Sequence, residues 1–154
     1  MKYFTLLILL FTVACSQSDK AVQEEDFSVT VKTVDETTLE ANTEIELITG
    51  ITNLSGTSVE VLHAAPLIHV QIYDEENKPQ IDSFVTNTID ISHKIKPKEF
   101  YNPDSKINDD ENKKISIEKP GKYTLIGKAS FAIEIDGERK EYLISSEPYE
   151  ITVE

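Results

Sequence analysis

Lys122-Tyr123-Thr124-Leu125-Ile126-Gly127-Lys128-Ala129-Ser130-Phe131-Ala132-Ile133-Glu134-Ile135 decides the fold. Every odd position in it is apolar or glycine, while Lys122, Thr124, Lys128, Ser130 and Glu134 on the even positions are polar. A period of two sends neighbouring side chains to opposite faces, the signature of a half-buried β-strand. The stretch exceeds the usual strand length of about five to six residues. A bend or bulge near Gly127 is therefore expected, because glycine inside a strand often marks one. Asp136-Gly137 follows, a pair that tolerates positive φ at both turn positions and so predicts a type I′ hairpin.

The same period runs outward in both directions. Residues 139–144 return from the hairpin, Glu147-Pro148 breaks the chain, and Tyr149, Ile151 and Val153 make a last strand. Upstream, Phe27, Val29 and Val31 alternate with Ser28, Thr30 and Lys32, and Ile45, Leu47 and Ile51 share one parity. Asn53-Leu54-Ser55-Gly56 supplies turn chemistry before Val59 and Val61 resume. Ile68, Val70 and Ile72 alternate up to the turn-rich 74–79, Ile89 and Ile91 suggest another strand, and Ile115 and Ile117 one more. The apolar run 61–68 interrupts the alternation at Pro66. A proline cannot donate a ladder bond, so the run is expected to switch strands, its apolar residues crossing between sheets. No amphipathic helical period of useful length occurs. About seven to nine short strands with intervening turns predict an all-β, antiparallel sandwich over residues 27–154, in which two sheets bury their apolar faces against each other.

The N-terminus obeys a different rule. Lys2 precedes an apolar run over residues 3–14, and Cys15, the only cysteine, closes it. As a helix this run would reach roughly 18 Å, short of the bilayer's hydrocarbon core of about 30 Å, so it reads as an export signal rather than a span. The layout resembles the signal peptide of bacterial lipoproteins. Val13-Ala14-Cys15 fits the pattern before the cleavage site, and Thr12 departs from its usual leucine. The resemblance implies removal of residues 1–14, lipidation (palmitate or a similar acyl chain) at Cys15, and an extracytoplasmic position on the cell membrane or outer membrane. Ser16 leans towards the outer membrane by the same resemblance. Residues 16–26 are polar and acidic without an apolar period, the composition of a flexible tether behind the lipidated cysteine, so that 15–26 joins the lipid to the domain.

The chain of 154 residues carries a formal charge of −13 at pH 7, and removal of Lys2 with the signal makes it −14. A strongly acidic chain without clustered Lys and Arg does not suit nucleic acid, whose phosphates demand them. It equally disfavours lying flat on anionic lipid. The charge serves solubility.

Pro120-Gly121-Lys122-Tyr123 resembles the Gly-x-Tyr opening of the penultimate strand in many bacterial immunoglobulin-like domains. There the tyrosine plugs a corner and its hydroxyl bonds nearby backbone. A second similarity, over about residues 45–131, is to the bacillus intracellular proteinase inhibitor family, itself an immunoglobulin-like sandwich. It rests on Thr52-Asn53-Leu54-Ser55, Val59-Glu60-Val61, Ile72-Tyr73-Asp74 and Pro120-Gly121-Lys122-Tyr123. The chain lacks that family's glycine-rich, aromatic middle, and 99–114 is more acidic, so no residue is nominated as a reactive site.

Candidate chemistry is sparse. The histidines are His63, His69 and His93, at separations with no recognised ligand spacing; they are read as scattered, and no metal ligand is assigned. His63 shares the parity of Val59 and Val61 and so faces inward; His69 has the parity opposite to Ile68 and Val70. Asp104 with Asn108-Asp109-Asp110-Glu111-Asn112 is the densest oxygen cluster but lacks the order of a known calcium loop. No catalytic residue and no cofactor is assigned, since neither a nucleophile elbow nor a phosphate loop occurs. The expectation is a lipid-anchored, non-catalytic binding or accessory module with an envelope protein as partner. An inhibitor-like domain presenting 99–114, and weak calcium binding at 104–112, are the alternatives.

Overall fold

The computed structural model describes residues 22–35, 39–80, 87–106 and 113–154. The signal segment 1–14, Cys15 and most of the tether lie outside them, as do residues 107–112. Among the described residues ten strands form two antiparallel sheets. They are β1 (Phe27–Thr33), β2 (Glu44–Asn53), β3 (Val59–Ala65), β4 (Ile68–Asp74), β5 (Asn87–Ile95), β6 (Phe100–Tyr101), β7 (Lys113–Ser116), β8 (Gly121–Ile135), β9 (Glu138–Ser145) and β10 (Tyr149–Val153). The smaller sheet is built on β2, with β1 on one side and β6 and β7 on the other. The larger sheet is built on β8, flanked by β9 and β10 and by β4 and β3, with β5 beyond β3.

The alternation in the sequence becomes the core. Phe27, Val29 and Val31 from β1, Ile45, Leu47 and Ile51 from β2, and Tyr123, Leu125, Ala129, Phe131 and Ile133 from β8 are all buried between the sheets. Phe131 stacks on Tyr142 at 5.4 Å and meets Phe27 edge-on at 5.0 Å. The Asp136-Gly137 turn has φ of 53° and 80°, as a type I′ hairpin requires.

Two expectations are corrected. β8 carries no bulge at Gly127: its pairing with β4 runs unbroken from Ala129↔Ile68 to Tyr123↔Asp74. The glycine serves close approach instead, because a Cβ there would overlap Val31 Cγ2 of the facing sheet. Nor does the run 61–68 cross between sheets. β3 and β4 both lie antiparallel to β8, one after the other, and the chain bends between them at the cis Ala65-Pro66 bond. β3 leans away to pair with β5, and β4 continues beside β8. Proline breaks the ladder here without redirecting the chain to the other layer.

Asn53 closes one end of the sandwich. It is fully buried, and its Nδ2 donates to Ile95 O (3.0 Å) and Thr57 O (2.8 Å) while Oδ1 accepts from Ser55 N (2.9 Å) and Ser55 Oγ (2.6 Å). Its backbone carbonyl accepts from Lys98 N (2.7 Å), and its N–H donates to Glu99 O (3.2 Å). One residue thus fixes the 54–58 turn and the 96–99 connection by which the chain passes from the larger sheet to the smaller. At the same end Val22 O accepts from Tyr142 Oη (2.8 Å), and Gln23 and Asp26 form a reciprocal cap, so the leading segment meets the sandwich here.

Candidate functional site

A polar cluster lies where residues 99–105, having crossed over from β5, run along the seam between the sheets. The backbone of this arm is seated by β6, whose Tyr101 and Phe100 pair with Ile51 and Thr52 of β2. Gly50 makes room for it: a Cβ at that position would come within 2.7 Å of Tyr101 O and 2.5 Å of the Phe100 ring.

Tyr101 reaches from this arm to two histidines of the larger sheet. His63 on β3 and His93 on β5 are diagonal neighbours on one face, since Val61 pairs with His93 and His63 with Ile91. The Tyr101 ring stacks on His93 at 3.9 Å and nearly parallel, and its hydroxyl lies 2.9 Å from His63 Nε2. His63 Nδ1 lies 2.7 Å from Ala64 O. A carbonyl only accepts, so Nδ1 carries the proton, Nε2 presents its lone pair, and the Tyr101 O–H donates to it. His63 is 2 % exposed. Burial, and then the Asp104 charge, push the Tyr101 phenol above its ordinary range.

Beyond Tyr101 the arm is pinned twice more. Asp104 accepts from Leu67 N (2.9 Å, Oδ1) and Ile68 N (3.0 Å, Oδ2), satisfying the two amides that follow the Pro66 break. Lys113 at the start of β7 donates to Ile68 O (2.7 Å). Burial lowers the Lys113 ammonium pKa, with Asp104 opposing. His69 lies in the field of both: burial first and Lys113 second hold its pKa below the ordinary histidine value, and Asp104 offsets part of that. At the other end of the arm Glu99 accepts from Lys96 N (2.8 Å), which lowers its carboxyl, and its Oε1 stands 3.6 Å from His93 Nε2, longer than a hydrogen bond.

The structure therefore gathers what the sequence spacing left scattered. His63 and His93 both meet Tyr101, and His69 lies near Asp104 and Lys113. His63 faces inward, as its parity indicates. Tyr101 was not picked out from the sequence, and its only signal was an aromatic residue next to the acidic stretch. Two of the histidines, His63 and His93, meet at Tyr101, and His69 does not join them. Among the described residues no three His, Cys, Asp or Glu side chains are arranged to hold a metal ion. Asp104, read as part of an oxygen cluster, spends both oxygens on backbone amides; its companions at 108–112 lie outside the described residues. The chemistry of the arrangement is that of an inter-sheet clasp, with hydrogen-bonding groups turned on one another.

At the opposite end of the sandwich Asp74, Glu75, Lys122, Tyr123, Glu150 and Ile151 line a shallow cleft of about 580 Å³. Asp74 is occupied in shaping the 74–80 turn, where it accepts from Glu76 N and Lys78 N, both at 2.9 Å. No protein-family model matches the chain, and no curated protein matches it.

Proposed function

We propose that the chain is a lipid-anchored, non-catalytic binding or accessory module of the cell envelope, an immunoglobulin-like sandwich held by Cys15 on the cell membrane or outer membrane. The observation that carries this reading is how the leading segment joins the fold. Among the described residues the buried core begins at Phe27, and the chain reaches it through Val22 and the Gln23–Asp26 cap on one end of the sandwich. Removal of residues 1–14 and lipidation of Cys15 would leave that core, from Phe27 onward, whole. Two acyl chains then suffice for stable attachment, where one would hold only marginally.

The immunoglobulin-like character is supported by Tyr123, a buried side chain whose hydroxyl donates to Lys119 O (2.9 Å) at the corner before β8. The binding role is supported by the deployment of polar side chains. His63, Tyr101, Asp104 and Lys113 hold the sheets together, whereas β1 and β5 each have one strand neighbour among the described residues. Such edges offer backbone groups to an added strand of a partner protein.

Fractionation tests the reading. In a bacterial host with lipoprotein processing, the parent chain should partition with membranes and take up an alkyne fatty acid, and Cys15→Ser should do neither. Equal labelling of both proteins, or an unlabelled parent in the aqueous phase, contradicts it.

A further inference from the structure

Resting on the binding-module reading above, we propose that the free edge of β5 takes a partner strand in which carboxylates alternate with apolar residues, selected by Lys94, Lys96 and Lys98. β5 pairs with β3 and has no second strand neighbour among the described residues. Residues opposite each other in a ladder share a face. Ile91 therefore lies on the inner face with buried His63, and Lys94 on the outer face with Glu60. An added strand continues both faces with a period of two. Its inner side chains meet the half-buried rim of Ile91 and His93, which suits apolar residues, and its outer ones meet exposed Ser92 and Lys94. In a chain of net charge −13, three lysines within the five residues 94–98 are a local exception. All three are exposed. Glu60 accepts from Ser92 Oγ (2.6 Å) and Glu99 from Lys96 N (2.8 Å). Neither carboxylate forms an ion pair with the three ammonium groups among the described residues.

The edge is held in place before any partner arrives. From inside, Tyr101 stacks on His93 at 3.9 Å and Asn53 Nδ2 donates to Ile95 O (3.0 Å). The connection beyond it is fixed too, because Lys98 N donates to Asn53 O (2.7 Å) and Glu99 N to Lys96 O (3.0 Å). A partner strand thus meets a preorganised backbone, and less ordering entropy opposes docking. β1 does not suit the same partner. Its outward positions are Ser28, Thr30 and Lys32, and Glu24, Glu25 and Asp26 lead into it, so one ammonium stands against three carboxylates. Its rim is also tied to the larger sheet, by Tyr142 Oη donating to Val22 O (2.8 Å) and by the Thr33 Oγ to Tyr149 Oη contact (3.0 Å). The main-chain ladder supplies the affinity at β5, while the lysines decide which strand is accepted.

A capped, alternating Glu-Val octapeptide is the probe, added to the full chain in zwitterionic detergent micelles at low salt. Hydrogen exchange read by mass spectrometry should show protection gained over residues 91–95 and none over β1. Fluorescence anisotropy of the labelled peptide gives its affinity. Replacing Lys94→Gln, Lys96→Gln and Lys98→Gln together should weaken binding about tenfold, the sum of three exposed ion pairs. Lys78→Gln, Lys119→Gln and Lys122→Gln, at the opposite end, should leave it unchanged. An alternating Lys-Val peptide should bind at least about tenfold more weakly than the Glu-Val one. Absence of binding, protection of β1 instead, or an unaffected 94–96–98 variant overturns the proposal. Equal binding of the Lys-Val peptide does so as well. If polyglutamate, or the Glu-Val peptide N-methylated at alternate residues, binds as tightly, the contact is plain charge attraction and the added strand is overturned. Protection of β5 that grows with protein concentration in the absence of peptide would give the edge to a second copy and overturn it too. The lipid anchor stands or falls separately, by the Cys15→Ser fractionation.

Discussion

Single residues in this protein are explained by which hydrogen-bond valences they fill. Asn53 and His63 are buried polar side chains whose donors and acceptors are matched, and each fixes a connection that apolar packing alone would leave loose. Thr49 is the counter-example. It faces the core from β2 at 1 % exposure, and its hydroxyl has no partner among the described residues. An unmatched buried hydroxyl costs about 1–3 kcal/mol by mutational measures. Thr49→Val removes the hydroxyl with little change of shape and should raise the unfolding free energy by about 1 kcal/mol in urea titration. A loss of stability would show that the hydroxyl has a partner after all. Thr49 was legible as inward from the parity of Ile45, Leu47 and Ile51. The buried Asn53 was not: its residue type signalled a turn, and only the later approach of residues 95–99 makes it a hub.

At the level of elements, strands were legible wherever one face meets the core and the other meets water. β8 shows this best, because its period of two survives the change of partner from β9 to β10 near Gly127. That glycine has a role which sequence period cannot reveal, since it depends on Val31 in the facing sheet. Gly127→Ala should destabilise the domain by about 1–3 kcal/mol, the usual cost of overpacking, seen as a lower thermal midpoint. An unchanged midpoint would mean the sheets stand further apart at this point than the structure places them. The β3–β4 break was legible as a break but not as to its direction. Proline announces the missing donor, whereas the decision to stay in one sheet is made by Asp104, which satisfies the two amides beyond it from 36 residues away. The meeting of His63 and His93 at Tyr101 was hidden for a similar reason. It depends on β3 and β5 being neighbours and on the chain changing sheets at 96–99, and both are tertiary facts.

For the molecule as a whole, the ionisable groups at the seam set a pH profile whose sign follows from their shifts. His69 has a lowered value, so the folded state binds its proton less readily than the unfolded chain; the stability this gives is complete above about pH 6.5 and is lost below it. Glu99 is also lowered, and its smaller, solvent-exposed contribution is lost only as pH falls below the carboxylate range. On the alkaline side Tyr101, raised, gives up its contribution above about pH 10, while Lys113, lowered, recovers its burial penalty as it deprotonates. The thermal midpoint should therefore fall between pH 7 and pH 5, and His69→Gln should make that fall shallower. A midpoint that rises on acidification would reverse the assignment.

The same scale holds the central claim, that this sandwich works as an exported domain tied by lipid to a membrane. Intact-mass spectrometry of the chain extracted from membranes of a lipoprotein-processing host is the most direct measurement of it. The account predicts a polypeptide that begins at Cys15 and carries acyl chains on it. A polypeptide that retains residues 1–14, or one with a free thiol at Cys15, would contradict it.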